Sequence, residues 1–164
     1  MKRILIVGRG CSGKSTLAKS LGEKLQLPVY HLDQYFWKEN WVPLAEEEKQ
    51  KIHAELIDSY SWIIEGSTEF LEDRAKRADT FIVLDLPVWK TLPSWVRRIW
   101  KYRGVTRPDM VDGNVERMNF EYVKWQLDRK STERKINKLK AVCPDKRMII
   151  FKSRKAAHDF VASV

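Results

Sequence analysis

Short runs of apolar residues alternate along the chain with longer stretches in which apolar positions recur every three or four residues. The runs at 2–7, 28–31 ("PVYH"), 61–65 ("SWIIE"), 79–86 ("DTFIVLDL") and 146–152 ("KRMIIFK") read as buried strands. Helical spacing predicts helices over 14–25, 44–58, 68–77, 89–103, 115–140 and 154–163. Strands that alternate with helices point to an α/β fold with a parallel sheet and helical crossovers. In the 89–103 pattern, Val88, Leu92, Trp95, Val96, Ile99 and Trp100 share one stripe, and Pro93 sets the start of the regular helix near Thr91. The long pattern at 115–140 has a break near Ser131. No repeat, low-complexity tract or linker divides the chain, so 1–164 is expected to form a single domain.

The junction of the first strand and first helix carries the strongest chemical signal. "GRGCSGKST" fits GxxxxGKS through Gly8, Gly13, Lys14 and Ser15, the pattern of a phosphate-binding loop when a strand precedes it and a helix follows. A chain that wraps an anion must turn its N–H groups inward, which glycine allows, and the helix adds the positive end of its dipole. Gly8, Arg9, Gly10, Cys11, Ser12, Gly13, Lys14, Ser15 and Thr16 are therefore the expected nucleotide-phosphate site. Lys14 can reach the outer phosphates, and the Ser15 hydroxyl can ligate Mg²⁺.

Composition narrows the setting. With 164 residues and 43% hydrophobic content, the chain can bury a core, and no apolar run is long enough to span a membrane. Lys2 and Arg3 before a short apolar run have the outline of a signal peptide, but the run enters the phosphate loop at Gly8. Two cysteines, Cys11 and Cys143, make no disulfide framework, so a reducing, cytoplasmic setting is expected. Cys11 reads either as a small loop residue or as a redox control point. The net charge is +9, and residues 97–140 hold 13 Lys or Arg against 6 Asp or Glu. Such a region suits nucleotide phosphates or nucleic acid, or is a solvated helix face.

Among phosphate-loop machines, a GTPase is disfavoured: no Asp is followed by Gly three residues on, and "NKLK" at 137–140 lacks the aspartate of a guanine reader. A motor ATPase is disfavoured by the single Asp85 in "FIVLDLP", with no acid after it. A kinase needs a group that orients or deprotonates an acceptor, cations for the transferring phosphoryl group, and a cover that excludes water. Asp33, just after the second strand, is the candidate base or a Mg²⁺ ligand through water; a turn cap is the plain alternative. Glu65, at the end of the third strand with Gly66 behind it, is the competing base, and Asp85 a candidate outer Mg²⁺ ligand. Tyr35, Phe36, Trp37 and Trp41 could wall a pocket for a flat substrate or simply pack. Arg74 suits an anionic acceptor or a solvated helix face. In "RRIWKYRGVTRPDM", Arg97, Arg98, Lys101, Arg103 and Arg107 lie around Gly104 and Pro108, with Arg97, Arg103 and Arg107 expected to close over the transferring group. That arrangement reads as a lid over about 97–125, or as a surface basic patch. Ser153 and Arg154 follow the last strand, where they could contact the nucleotide base, with a helix N-cap as the other role for Ser153.

Taken together, the motif set resembles the bacterial DNA topology modulation protein family. The blocks that carry it are the phosphate loop, "LPVYHLDQYFW", "WIIEGS", "RADTFIVLDLP" and "KYRGVTRPDM", spread over nearly the whole chain. The resemblance places the chain among adenylate-kinase-like and shikimate-kinase-like phosphate-loop proteins. It implies a three-layer α/β/α fold, a five-stranded parallel sheet in the order 2-3-1-4-5, an ATP site and a lid between the fourth and fifth strands. Members commonly carry "DGN" where this chain has Glu65, Gly66 and Ser67, so the acceptor is not implied. The expectation is an ATP-binding, Mg²⁺-dependent phosphotransferase for a small acceptor such as a nucleoside or nucleotide. The rival is a nucleotide-dependent regulator that binds nucleic acid through 97–140 and hydrolyses ATP slowly or not at all.

Overall fold

The computed structural model describes residues 1–115, 120–128 and 130–164. Strand β1 (Arg3–Gly8) leads through the glycine-rich loop into helix α1 (Lys14–Leu25), followed by β2 (Val29–His31) and the short α2 (Leu32–Phe36). A small hairpin, β3 (Trp37–Lys38) and β4 (Val42–Pro43), encloses a 3₁₀ turn and precedes α3 (Glu46–Asp58). Next come β5 (Trp62–Glu65), α4 (Leu71–Arg77), β6 (Thr80–Leu84) and α5 (Val88–Lys101). The chain ends with α6 (Phe120–Leu127), α7 (Ser131–Val142), β7 (Arg147–Phe151) and α8 (Arg154–Ser163).

Five strands form one parallel sheet in the order β2-β5-β1-β6-β7. The hairpin strands shift the labels, but the main-sheet strands taken alone run 2-3-1-4-5, as expected. Successive side chains of a strand point to opposite faces, and a sheet covered on both faces reads as a continuous apolar run. On one face Ile4, Ile6, Ile63 and Ile82 pack with Leu17 and Leu21 of α1 and Ala157 of α8. On the other, Leu5, Val7, Ile64 and Phe81 pack with Phe36 of α2, Ile57 of α3, Ala75 of α4 and Leu139 of α7. The result is three layers.

Three elements depart from the sequence reading. The 115–140 pattern is two helices, α6 and α7, joined near Asp128–Lys130, close to the expected break; residues 116–119 and 129 lie outside the described ones. Residues 32–43 form a helix and hairpin that periodicity did not indicate, and within it Asn40 and Trp41 both adopt left-handed backbone, φ 60° and 62°. Helix α5 starts at Val88 and carries Pro93 inside, where the missing N–H forgoes a single bond close to the helix start. Its apolar stripe is split: Trp95 is buried, whereas Val96 and Trp100 are exposed.

Candidate functional site

The carboxyl ends of β1, β2 and β5 open on a cavity of about 670 Å³. In parallel α/β sheets ligands bind beyond these ends, because the loops there are free to diverge. One end of the cavity is the phosphate loop. Gly13, at φ 101°, makes a turn that an L side chain rarely adopts and delivers the chain into α1. Lys14 donates from Nζ to the Arg9 carbonyl at 3.0 Å, and Gly8, Gly10, Lys14 and Ser15 line the cavity. The Arg9 side chain leaves the loop and donates from Nη1 to the Asp128 carbonyl at 2.7 Å. Burial lowers its pKa, against the fields of Asp128 and Asp85. Ser12 is fully buried, and Cys11 takes φ 54° with its carbonyl turned outward.

Two carboxylates stand beside the loop, in different surroundings. Glu65, the last residue of β5, lies 2.7 Å from Nδ1 of His31, the last residue of the neighbouring β2. Burial would raise the Glu65 pKa, but the His31 hydrogen bond, Lys14 and the Ser15 hydroxyl outweigh it and hold it low. The same contact raises the His31 pKa. Asp33, one residue into α2, goes the other way. Burial and the Glu65 charge push its pKa up, against Lys14, Arg107 and the Ser67 N–H. Gly66 permits the approach: at φ 95°, a Cβ there would sit 3.3 Å from Asp33 Oδ1.

Of the expected acceptor residues, Trp37, Glu65 and Gly66 line the cavity, joined by Trp41, whose ring meets Trp37 edge to face at 5.7 Å. Arg74 does not line it. Arg74 is completely buried beneath the 66–69 loop and donates from Nη2 to the Ser67 carbonyl at 2.8 Å. Burial lowers its pKa to about 10. It is therefore neither a solvated residue nor a cavity-facing one.

The expected lid cations divide. Arg107 lines the cavity, 3.3 Å from Asp109, but Arg97 and Arg103 are exposed on its outer side. Arg98 takes the place of Arg97: on α5 it follows Trp95 by three residues and shares its inward face. Asp85 is not among the described residues that line the cavity, since β6 stops at Leu84 and the Asp85 N–H donates to Phe151. Ser153 caps α8, accepting from the Ala156 N–H at 3.1 Å. Arg154 donates from Nη2 to the Cys11 carbonyl at 2.7 Å and to Ser94 Oγ at 3.0 Å, behind the phosphate loop. Neither lines the cavity.

Lys135 of α7 has no counterpart in the sequence reading. Its Nζ donates to the Gly8 carbonyl at 3.0 Å, at the phosphate-loop end of the cavity. Burial, then Lys14, Arg9 and Arg134, lower its pKa to about 7. The segment after α5 meets the hairpin across the opening. Gln34 donates to the Pro108 carbonyl at 3.0 Å, the Trp41 N–H to Asn114 Oδ1 at 2.6 Å, and the Trp41 indole to the Val115 carbonyl at 2.9 Å.

No protein-family model matches the chain, and no curated protein matches it. Solved structures do. Shikimate kinase from Acinetobacter baumannii, in complex with shikimate, aligns over 99% of this chain and 90% of its own at TM-score 0.62 and 16% identity. Deoxyadenosine kinase from M. mycoides, with dCMP and dCDP bound, aligns over 98% and 96% at TM-score 0.56 and 14% identity. A gluconokinase from Sinorhizobium meliloti 1021 aligns over 98% and 87% at TM-score 0.56 and 14% identity. The chain has the fold of the phosphate-loop kinases. At these identities the likeness concerns the fold, and the resemblance to DNA topology modulation proteins rests on the motif blocks alone. Among the described residues, no helix is long and apolar enough to cross a membrane.

Proposed function

We propose that the chain transfers a phosphoryl group from a nucleoside triphosphate, ATP on the resemblance, to the hydroxyl of a small acceptor. One observation carries this reading: Lys14 and Ser15 of the phosphate loop and the raised-pKa Asp33 line the same cavity. The loop N–H groups and Lys14 bind the phosphates, with Lys135 as a further cation from above. Asp33 accepts the acceptor's hydroxyl proton as the new O–P bond forms and the bond to the nucleoside diphosphate breaks. Glu65 is held as a carboxylate by His31 and leaves the base role to Asp33. Arg98 and Arg107 offset the charge of the transferring group.

Mg²⁺ fits the donor set. The Ser15 hydroxyl would ligate the ion directly and the Asp33 carboxyl, on the same cavity, would hold it through water, as suits an ion that takes few protein ligands and completes its shell with phosphate and water. Bound there, Mg²⁺ would supply neutralising charge to the phosphate oxygens. The segment 97–125 would act as the lid of a single kinase domain. A chain with only two cysteines, Cys11 and Cys143, accords with a cytoplasmic setting. Of the basic region, Arg107 and Lys135 turn into the cavity and Arg134 pairs with Asp128, while Arg97, Lys101 and Arg103 stay exposed as the surface that the nucleic-acid reading would use.

The test is ADP formation from Mg-ATP across nucleosides, nucleotides and small hydroxyl metabolites, with Lys14→Ala as the blank. An acceptor that speeds ADP release and gains phosphate supports the reading. Binding of ATP with no acceptor-stimulated transfer overturns it.

A further inference from the structure

The half of the cavity opposite the phosphate loop is built from α2, the hairpin, α3 and the β5–α4 loop, and its charges apart from Asp33 are already paired. Of the described residues that line the cavity between positions 33 and 71, the only cation is Lys49. Its Nζ lies 2.9 Å from Glu69 Oε2 and 3.7 Å from Glu46 Oε2, and the side chain is mostly buried. Glu65 is paired with His31 at 2.7 Å. Arg98 and Arg107, which reach in from the lid segment, serve the transferring phosphoryl group in the proposed reaction, and Arg107 also stands 3.3 Å from Asp109. The cation that could have changed this balance, Arg74, is buried beneath the loop and off the wall. Asp33 alone has no ion-pair partner within that half, and the proposed reaction uses it.

A carboxylate or phosphate on the acceptor would have to displace Glu69 from Lys49 while facing Asp33, Glu65 and Glu69. A cationic acceptor would find Glu65 and Glu69 already engaged and would pair with Asp33, the group that the proposed reaction needs free to accept a proton. Burying a charge without a counterion is costly, so the wall rejects both. What the wall does offer is Trp37 and Trp41, edge to face at 5.7 Å, and the neutral hydroxyls of Ser67 and Thr68. Indole faces take flat rings by stacking, whatever the ring's sequence of donors and acceptors.

We infer that the acceptor is an electrically neutral alcohol bearing a flat ring, of the chemical class of nucleosides, and that charged acceptors are excluded. This rests on the phosphotransferase reading of the same cavity. The experiment is steady-state transfer from Mg-ATP by the full chain to four acceptor sets. These are thymidine, cytidine and adenosine; their 5′-monophosphates; the hydroxycarboxylates gluconate and shikimate; and the uncharged or cationic non-aromatic alcohols glucose and choline. A nucleoside is expected to exceed every other set by at least ~100-fold in kcat/KM. A monophosphate, hydroxycarboxylate, glucose or choline as best acceptor overturns the inference and leaves the kinase reading standing. Transfer to no member of the panel overturns both.

Two variants address the cause. Glu69→Gln loosens Lys49 and should raise the monophosphate-to-nucleoside ratio of kcat/KM on the order of tenfold; an unchanged ratio overturns the charge argument. Trp37→Leu should weaken nucleoside binding, read by calorimetry without ATP, by about tenfold. Unchanged binding overturns the stacking.

Discussion

Asp33 and Glu65 have the same chemistry and lie on one cavity wall, yet their environments push their pKa values apart. Glu65 gains a histidine, a lysine and a hydroxyl, whereas Asp33 is buried next to an existing negative charge. Such a split is how acid and base roles are assigned among neighbouring carboxylates. A base must be deprotonated to act, so kcat/KM should rise with pH through an apparent pKa above the ordinary aspartate value of about 4. Asp33→Asn should cut kcat by ~10²- to 10⁴-fold and remove that limb. A mutant with the wild-type rate and profile would reassign the base. Lys135, near pKa 7, makes the opposite prediction for nucleotide binding. The phosphates favour its charged form, so affinity should fall as pH rises above about 7, and binding at pH 8 should take up a proton. Calorimetry in two buffers of different ionisation enthalpy measures that uptake, and Lys135→Gln should abolish it. The sequence made the phosphate loop plain because its spacing is local. It concealed Lys135, because nothing near position 135 says that α7 crosses back over Gly8. The Ser153 cap was readable as an alternative; the fold made the choice.

At the scale of elements, the three central strands were legible because each is an apolar run buried on both faces, whereas the edge strands β2 and β7 are only partly buried and were legible as short apolar runs. The hairpin was not, since strands of two residues joined through left-handed Asn40 and Trp41 leave no periodic trace. Helix α5 shows a subtler failure. Periodicity placed the helix, but adjacent residues on a helix point about 100° apart, and the apolar stripe gave two candidate faces. Trp95 decides the phase, and with it Arg98 turns inward while Arg97 stays outside. Arg98→Ala should therefore lower kcat by at least ~10²-fold, as loss of a charge-stabilising donor does. Arg97→Ala should stay within about twofold. Side-by-side kinetics of the two variants give the answer, and equal losses would place the cation elsewhere.

For the molecule as a whole, the site is suspended between the strand ends of one rigid sheet and a cover made from the far end of the chain. Arg154 ties the back of the phosphate loop to α5 through the Cys11 carbonyl and Ser94, so loop and cover share an anchor. A ligand that binds only the folded state adds about 2.7 kcal/mol of stability at a hundred times its dissociation constant. Mg-ATP at that excess should raise the melting temperature by several degrees in the wild type and far less in Lys14→Ala, as a thermal scan would show. The contact between Trp41 and the 114–115 segment carries one more consequence. Trp41 holds a left-handed angle that costs on the order of 1–3 kcal/mol for a bulky side chain, whereas Asn40 beside it is a residue that tolerates that region. Against this stand two hydrogen bonds, each worth about 1 kcal/mol net. The two sides nearly cancel, so in the proposed kinase the contact would behave as a hair-trigger rather than a bolt: letting go would relax the backbone as it breaks the bonds, and departing product would meet a door already half sprung.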